Sequence, residues 1–103
     1  MNSIQRMSIE QAHRFIEERQ PILLDVRDAS AFQTAAIAGA MHLDNHSVQA
    51  FLEQTARDRA LLVYCYHGNS SMSAAQFLAE QGFETVVSLE GGFEAWRQVY
   101  SVD

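Results

Sequence analysis

The chain's central feature is an apolar run, residues 60–64, that stops at Cys65 and is followed by a helical pattern over residues 71–81. A continuous apolar run is typical of a strand covered on both faces, as in the middle of a parallel sheet. A strand that leads through a short polar loop into a helix also fits a parallel sheet, because parallel strands are joined by crossover helices. The inner face of this helix is expected to carry Ala74, Ala75, Phe77 and Leu78. The stretch therefore predicts an α/β domain with this strand at its centre.

Strands and helices alternate along the rest of the chain. Further strands are predicted at residues 4–7, at the sheet edge, at 22–26, at the end of 37–43 and at 85–89. Further helices are predicted from a capping box that starts at Ser8, at residues 28–32, from 47 to about 57, and after a Gly91-Gly92 turn. This alternation predicts a single domain over residues 1–103, with a central parallel sheet of four to five short strands flanked by helices on both faces.

Cys65 is the only cysteine and stands at the carboxyl end of the central strand. The first amides of the following helix have no carbonyl partners in the helix and converge on the mouth of the loop. These amides and the helix dipole favour the thiolate, so we expect a lowered pKa for Cys65 and a nucleophile near neutral pH. The alternative is a small, buried hydrophobic residue. Its place at the carboxyl edge of a parallel sheet, where such domains bind ligands, favours the reactive interpretation.

The loop after Cys65 has a composition that suits an anion cradle made of backbone amides. Gly68 is expected to take a left-handed conformation and Asn69 to tolerate one, so that the N–H groups turn inward. Ser70 or Ser71 is expected to cap the following helix. The predicted cradle comprises Tyr66, His67, Gly68, Asn69, Ser70 and Ser71.

A charged cluster, Asp25, Arg27 and Asp28, ends the strand predicted at residues 22–26. Arg27 has two interpretations, as a ligand for an anion near the site or as the partner of a carboxylate that holds the strand end. We favour the ion pair because two acids lie within two residues of Arg27. Asp25 and Arg27 are therefore predicted to be structural residues next to the site.

Composition and charge exclude several classes of function. The net charge is −6 and the seven basic residues, all arginine, are spread along the chain, which argues against nucleic-acid binding. No apolar run approaches the length of a membrane span, and residues 1–6 do not resemble a signal peptide. One cysteine cannot form an internal disulfide, so we expect a soluble, cytoplasmic protein with no membrane contact. His42 and His46 straddle a predicted turn, which makes a shared metal site improbable, and we expect neither metal nor cofactor.

Three motifs, in order along the chain, resemble those of rhodanese domains. They are Leu24-Asp25-Val26-Arg27-Asp28, the six-residue loop that begins at Cys65, and Gly91-Gly92 followed by Trp96. The resemblance to a single-domain rhodanese implies a thiosulfate sulfurtransferase, in which Cys65 attacks the outer sulfur of thiosulfate and sulfite leaves. The Cys65 persulfide then passes its sulfur to cyanide or to a thiol such as reduced thioredoxin. The expected partners are therefore a small anionic sulfur donor and a thiol acceptor, with the protein either a monomer or a homodimer.

Other interpretations of the same loop lead to different functions. The runner-up is a non-catalytic or regulatory rhodanese-type binding domain, or a persulfide carrier that receives sulfur from a protein donor. A cysteine phosphatase would need an arginine just after the loop, and residues 69–75 contain none. A thioredoxin-like protein would need a second cysteine at the position of Gly68. His67 is the only basic side chain in the loop, and it either assists anion binding or lies exposed at the rim.

Overall fold

The computed structural model describes residues 4–100 and 102, and within them five parallel strands form one sheet. The strands are β1 (Ile4–Met7), β2 (Ile22–Asp25), β3 (Met41–His42), β4 (Leu61–Tyr64) and β5 (Val86–Leu89), in the spatial order β1-β5-β4-β2-β3. The predicted central strand is indeed the middle one, and β1 lies at the edge as expected. Residues 1–3, part of the segment judged unlike a signal peptide, lie outside the described residues.

Within the described part of the chain, five helices cover the two faces of this sheet. They are α1 (Ile9–Arg19), α2 (Ala29–Thr34), α3 (Val48–Gln54), α4 (Ser70–Glu80) and α5 (Gly92–Trp96). Successive side chains of β4 point to opposite faces, as in any strand. Leu62 and Tyr64 pack with residues of α1 and α5, whereas Leu61 and Val63 pack with residues of α3 and α4. The predicted α/β class with helices on both faces is confirmed.

Helix α1 starts where its capping box predicted, whereas α3 ends earlier than its apolar pattern predicted. The Ser8 capping box forms both of its hydrogen bonds with Gln11. Helix α3 ends at Gln54, earlier than the predicted limit near residue 57, because Thr55 is extended. The Arg57 guanidinium then donates to the carbonyls of Leu52 and Thr55, at 2.8 and 3.0 Å, and so satisfies acceptors at that helix end.

The orientation of α4 corrects one prediction. Phe77, expected on the inner face, is 40% exposed. The buried side chains of α4 are instead Ser71, Ala75, Leu78 and Ala79. A short apolar stripe does not determine the rotation of a helix about its own axis to better than one residue. In α4 Ser71 is buried, and Phe77 consequently points outward. No helix within residues 4–100 has both the length and the apolar character needed to cross a bilayer.

Candidate active site

Cys65 directly follows β4, so the central strand carries its thiol to the carboxyl edge of the sheet. The residue is only 4% exposed, but it lines a pocket of about 170 Å³ together with Tyr66, His67, Asn69 and Ser70. A larger depression of about 320 Å³, beside Val26 and Phe77, does not include Cys65. We take the smaller pocket as the site, because it alone among the described cavities reaches the nucleophile. Its size suits a small anion.

Two backbone amides of the loop donate hydrogen bonds to the sulfur of Cys65. The N–H groups of Gly68 and Ser71 both lie 3.2 Å from Sγ. Gly68 has a φ of +98°, as predicted, and a Cβ added there would lie 3.1 Å from the Gly91 nitrogen and 3.2 Å from the Leu89 carbonyl oxygen. Glycine is thus needed at this position both for its backbone angle and for space.

Two predictions for the loop are wrong. Asn69 is right-handed, with φ −89° and ψ −53°, and it occupies the position before α4 without a side-chain capping bond. Neither Ser70 nor Ser71 caps the helix, which begins at Ser70 itself. The physical reason is that a capping residue precedes the helix, whereas both serines already lie in its first turn, where the Ser71 amide donates to the thiol sulfur. Ser71 instead turns its hydroxyl inward, 2.8 Å from the Ser88 hydroxyl on β5.

Burial and hydrogen bonding shift the pKa of Cys65 in opposite directions. Burial, the largest single influence, raises the pKa of the thiol by disfavouring the charged form. The donor groups around the sulfur, the Ser71 hydroxyl first and then the amides of Ser71, Gly68 and His67, outweigh it, so the pKa of Cys65 lies below the usual value. The environment therefore favours the thiolate, the nucleophilic form, more than that of an ordinary cysteine does, in the direction that the sequence predicted.

The carbonyl side of the same loop is held by α5. The amide of Phe93 donates to the Cys65 carbonyl at 2.8 Å, and the amide of Glu94 donates to the Tyr66 carbonyl at 3.0 Å. Because a trans peptide points its C=O and its N–H in opposite directions, these bonds direct the amides of Tyr66 and His67 away from α5. Sequence reasoning placed Gly91-Gly92 in a turn and missed this contact. The glycine pair before a helix was the only signal of a close approach.

The predicted ion pair between Asp25 and Arg27 is present and lies next to α5 and the loop after Cys65. The Arg27 side chain donates to both carboxylate oxygens of Asp25, with the shortest contact at 2.7 Å, and to the Ala35 carbonyl at 2.5 Å. Asp25 is fully buried and Arg27 is 6% exposed. The guanidinium also lies 3.9 Å from the centre of the Phe93 ring. Arg27 is thus engaged with the protein and not directed to the pocket as an anion ligand.

The remaining candidate residues occupy separate environments. Tyr66 is 41% exposed, and its hydroxyl donates to Asp28 at 2.5 Å, which joins the loop to the start of α2. His67 is exposed and lines the pocket. The His42 ring is directed to the backbone and not to His46, because its Nε2 atom lies 2.6 Å from the Arg27 carbonyl oxygen. Within the described part of the chain, no three His, Cys, Asp or Glu side chains come together as metal ligands.

Comparison with known proteins agrees with this geometry. The profile of the rhodanese-like domain family matches residues 8–99. A protein named thiosulfate sulfurtransferase GlpE, from Pseudomonas putida (strain GB-1), is 47% identical over 103 residues, covering 100% of this chain and 94% of the relative. A protein of the same name from Pseudomonas savastanoi pv. phaseolicola is 48% identical over 100 residues, covering 97% of this chain and 93% of the relative.

Solved structures show the same fold. A rhodanese-related protein from Thermoplasma volcanium superposes with a TM-score of 0.80 at 26% identity, covering 96% of this chain and 97% of the other. A rhodanese-like domain from Anabaena sp. gives a TM-score of 0.84 at 26% identity, covering 95% of this chain and 77% of the other. The chain therefore belongs to the rhodanese-like domain family, as its three motifs predicted.

Proposed function

We propose that this protein is a thiosulfate sulfurtransferase that carries a sulfane sulfur on Cys65. The proposal agrees with the names of relatives that are 47% and 48% identical over nearly the whole chain. The observation that carries it is the pair of amides, from Gly68 and Ser71, that donate to Cys65 Sγ at 3.2 Å. Backbone donors aimed at one sulfur stabilise a thiolate before the reaction and an anionic persulfide after it.

The first half-reaction loads the enzyme. The Cys65 thiolate attacks the outer sulfur of thiosulfate, a new S–S bond forms, and the old S–S bond breaks with its electron pair leaving on sulfite. The product is a persulfide on Cys65, which splits one transfer between two substrates into two displacement steps. The first two peptides of the loop stay in place throughout, because α5 holds the carbonyls of Cys65 and Tyr66.

The second half-reaction unloads the enzyme. A nucleophile such as cyanide or a thiolate attacks the outer persulfide sulfur, and the electron pair of the broken bond returns to Cys65 Sγ. With a dithiol such as reduced thioredoxin, the second thiol then releases the sulfur as sulfide and a disulfide forms. A thiol acceptor and a single free cysteine both fit a reducing compartment, so we place the reaction in the cytoplasm.

Intact-mass spectrometry tests the proposal directly. After incubation with thiosulfate and removal of the excess, the wild-type chain should gain the mass of one sulfur atom. Cys65→Ser should gain nothing, because a hydroxyl with an ordinary pKa is a poor nucleophile and does not hold a sulfane sulfur. Cyanide should then remove the added mass and produce an equal amount of thiocyanate.

The same experiment separates the proposal from the alternatives. A purely binding or regulatory domain would remain unlabelled by thiosulfate and by every other sulfur donor. A carrier loaded by a protein donor would gain the sulfur atom from a persulfidated protein and not from thiosulfate. Either result would overturn thiosulfate as the substrate, and the first would also overturn Cys65 as a sulfur carrier.

His67→Ala is expected to raise the KM for thiosulfate about fivefold and to lower kcat less than twofold. The side chain is the only basic one that lines the pocket, so its loss removes one hydrogen bond to the bound anion, worth about 1 kcal/mol. Steady-state thiocyanate formation measures both constants. The control is His46→Ala, since His46 is exposed and lies outside the pocket. An unchanged KM in His67→Ala would show that His67 lies at the rim of the pocket and does not assist anion binding.

A further inference from the structure

A second cavity, of about 300 Å³, lies beside the Cys65 pocket, and the Tyr66 side chain lines both. It is formed by the residues after β2, by α2 and by α5 with the residue that follows it. The Tyr66 hydroxyl donates to Asp28 at 2.5 Å, so the wall that the two cavities share is held in one position. A preformed cavity next to the nucleophile is a candidate subsite for the second substrate.

The second half-reaction requires space outside the Cys65 pocket. Cys65 is only 4% exposed, so an acceptor thiol must bring its sulfur into that small pocket and leave the rest of the molecule at the rim. The 320 Å³ depression beside Val26 and Phe77 shares no lining residue with the Cys65 pocket. The cavity next to Tyr66 does share one. It is therefore the better placed of the two to hold the tail of an acceptor.

Most polar groups that line this cavity are already bonded to the protein. The Ser30 hydroxyl donates to Asp28 at 2.5 Å, and the Thr34 hydroxyl donates to the Ser30 carbonyl at 2.9 Å. The Tyr66 hydroxyl also donates to Asp28, so each carboxylate oxygen of Asp28 accepts a hydrogen bond from a hydroxyl. These three hydroxyl groups have no further proton to donate to a ligand. A bound anion must find its donor elsewhere in the cavity.

Arg97 supplies an exposed cation in this cavity. Arg27 also lines it, but that guanidinium is buried and donates to Asp25 and to a backbone carbonyl. Arg97 lies one helical turn after Phe93, about 6 Å further along the axis, and its side chain is 56% exposed. Its contact with Glu94, at 3.2 Å through Nε, is an exposed ion pair and therefore weak. A substrate carboxylate can replace Glu94 and accept two parallel hydrogen bonds from the guanidinium.

We propose that this cavity binds the tail of a thiol acceptor that carries a carboxylate, and that Arg97 binds the carboxylate. The net charge of −6 disfavours anions in general, so such a tail needs a local cation. The inference rests on the proposed role of Cys65 as a sulfur carrier. The acceptor thiolate attacks the outer persulfide sulfur, the S–S bond breaks, and its electron pair returns to Cys65 Sγ. The acceptor leaves as a persulfide, from which a second thiol molecule releases sulfide as a disulfide forms.

The experiment compares 3-mercaptopropionate with its methyl ester, which has the same thiol chain without the charge. Cys65 is loaded with sulfur, excess donor is removed, and loss of the added mass is followed by intact mass at several matched thiolate concentrations. Wild type is expected to bind the acid about fivefold more tightly than the ester. Arg97→Met should abolish this preference and leave the limiting rate unchanged, because the charge-assisted hydrogen bonds are lost away from the reacting sulfur.

Two further measurements separate recognition of charge from a structural effect. Arg97→Lys should keep most of the preference for the acid, since the charge is retained. Cysteamine, a positively charged thiol, should bind more tightly to Arg97→Met than to wild type. A purely structural role would weaken all three acceptors alike and lower the limiting rate, and that result would overturn the proposal. Thermal unfolding, followed by circular dichroism, checks that each variant is folded at the assay temperature.

Arg59→Met is the matched control. Arg59 is also exposed, but it precedes β4 and so lies at the opposite edge of the sheet from Cys65. This variant should keep the wild-type preference, and its loss would assign the preference to net charge and overturn the subsite. Failure of Cys65 to load would overturn the proposed function and the subsite together. Normal loading and transfer to cyanide, with equal binding of acid and ester by the wild type, would overturn the subsite alone.

Discussion

Gly92→Ala is expected to lower the rate of sulfur transfer at least about 100-fold and to destabilise the fold by about 3 kcal/mol. A Cβ at this position would lie 2.6 Å from the Cys65 carbonyl oxygen and 2.6 Å from both the carbonyl carbon and the oxygen of Tyr66. All three atoms belong to the backbone, so no side-chain rotation relieves the clash. Either α5 or the active loop must move.

The effect on activity follows from peptide geometry. Moving the two carbonyls breaks the bonds from Phe93 and Glu94 and rotates the peptides that carry the Tyr66 and His67 amides. Donors preorganised around a reacting charge lose most of their effect when displaced by about 1 Å. Cyanide-dependent turnover measures the loss, and urea unfolding measures the change in free energy.

Gly39→Ala is the control for backbone strain. Gly39 also has a positive φ, +85°, but a Cβ there would have no atom within 4 Å. This variant should cost about 1 to 2 kcal/mol, the strain of a left-handed alanine, and should keep the wild-type turnover. Equal turnover of Gly92→Ala and Gly39→Ala would show that the approach of α5 does not shape the loop.

Arg27→Met is expected to lower the free energy of unfolding by about 3 to 5 kcal/mol, because it leaves the buried carboxylate of Asp25 without its counter-charge. Asp25 is fully buried, and Arg27 donates to both of its oxygens. Domains of this size are stable by about 5 to 15 kcal/mol, so the variant should unfold at a much lower urea concentration. It also removes the guanidinium from the face of the Phe93 ring.

A double substitution and an exposed pair supply the controls. Asp25→Asn/Arg27→Met should be more stable than Arg27→Met, since the uncompensated charge is gone and the Asn side chain can still accept from the amide of residue 27. Arg97→Met breaks the exposed pair with Glu94, at 3.2 Å, and should cost at most about 0.5 kcal/mol. If Arg27→Met were no more costly than Arg97→Met, the buried pair would not be what holds the end of β2.

Features that depend on nearby residues were predictable from the sequence. The Ser8 capping box needs only residues three apart, and both of its bonds are present. The continuous apolar run at 60–64 required a strand buried on both faces, and that strand is the central one. The position of Cys65 between this strand and a helix followed from the same pattern.

Features that depend on rotation or on distant residues were not predictable. The prediction for Phe77 was wrong because the apolar stripe of α4 does not specify which neighbour faces the sheet. The predicted serine cap was wrong because α4 begins one residue earlier than a cap at Ser70 allows, so both serines lie inside its first turn. Ser88 offered a single hint, a hydroxyl within an apolar strand, and nothing in the sequence indicated that its partner lies 17 residues away.

The order of strands and helices and the place of the one thiol between them were determined by the sequence alone, because apolar periodicity and capping act over a few residues. The chemistry at that thiol was decided by tertiary structure. The Gly68 and Ser71 amides reach the sulfur in a loop whose first two peptides are fixed by α5, more than 25 residues later in the chain, through their carbonyls. Only the packed fold brings these groups together, since their separation along the chain carries no pattern from which the contact could be inferred.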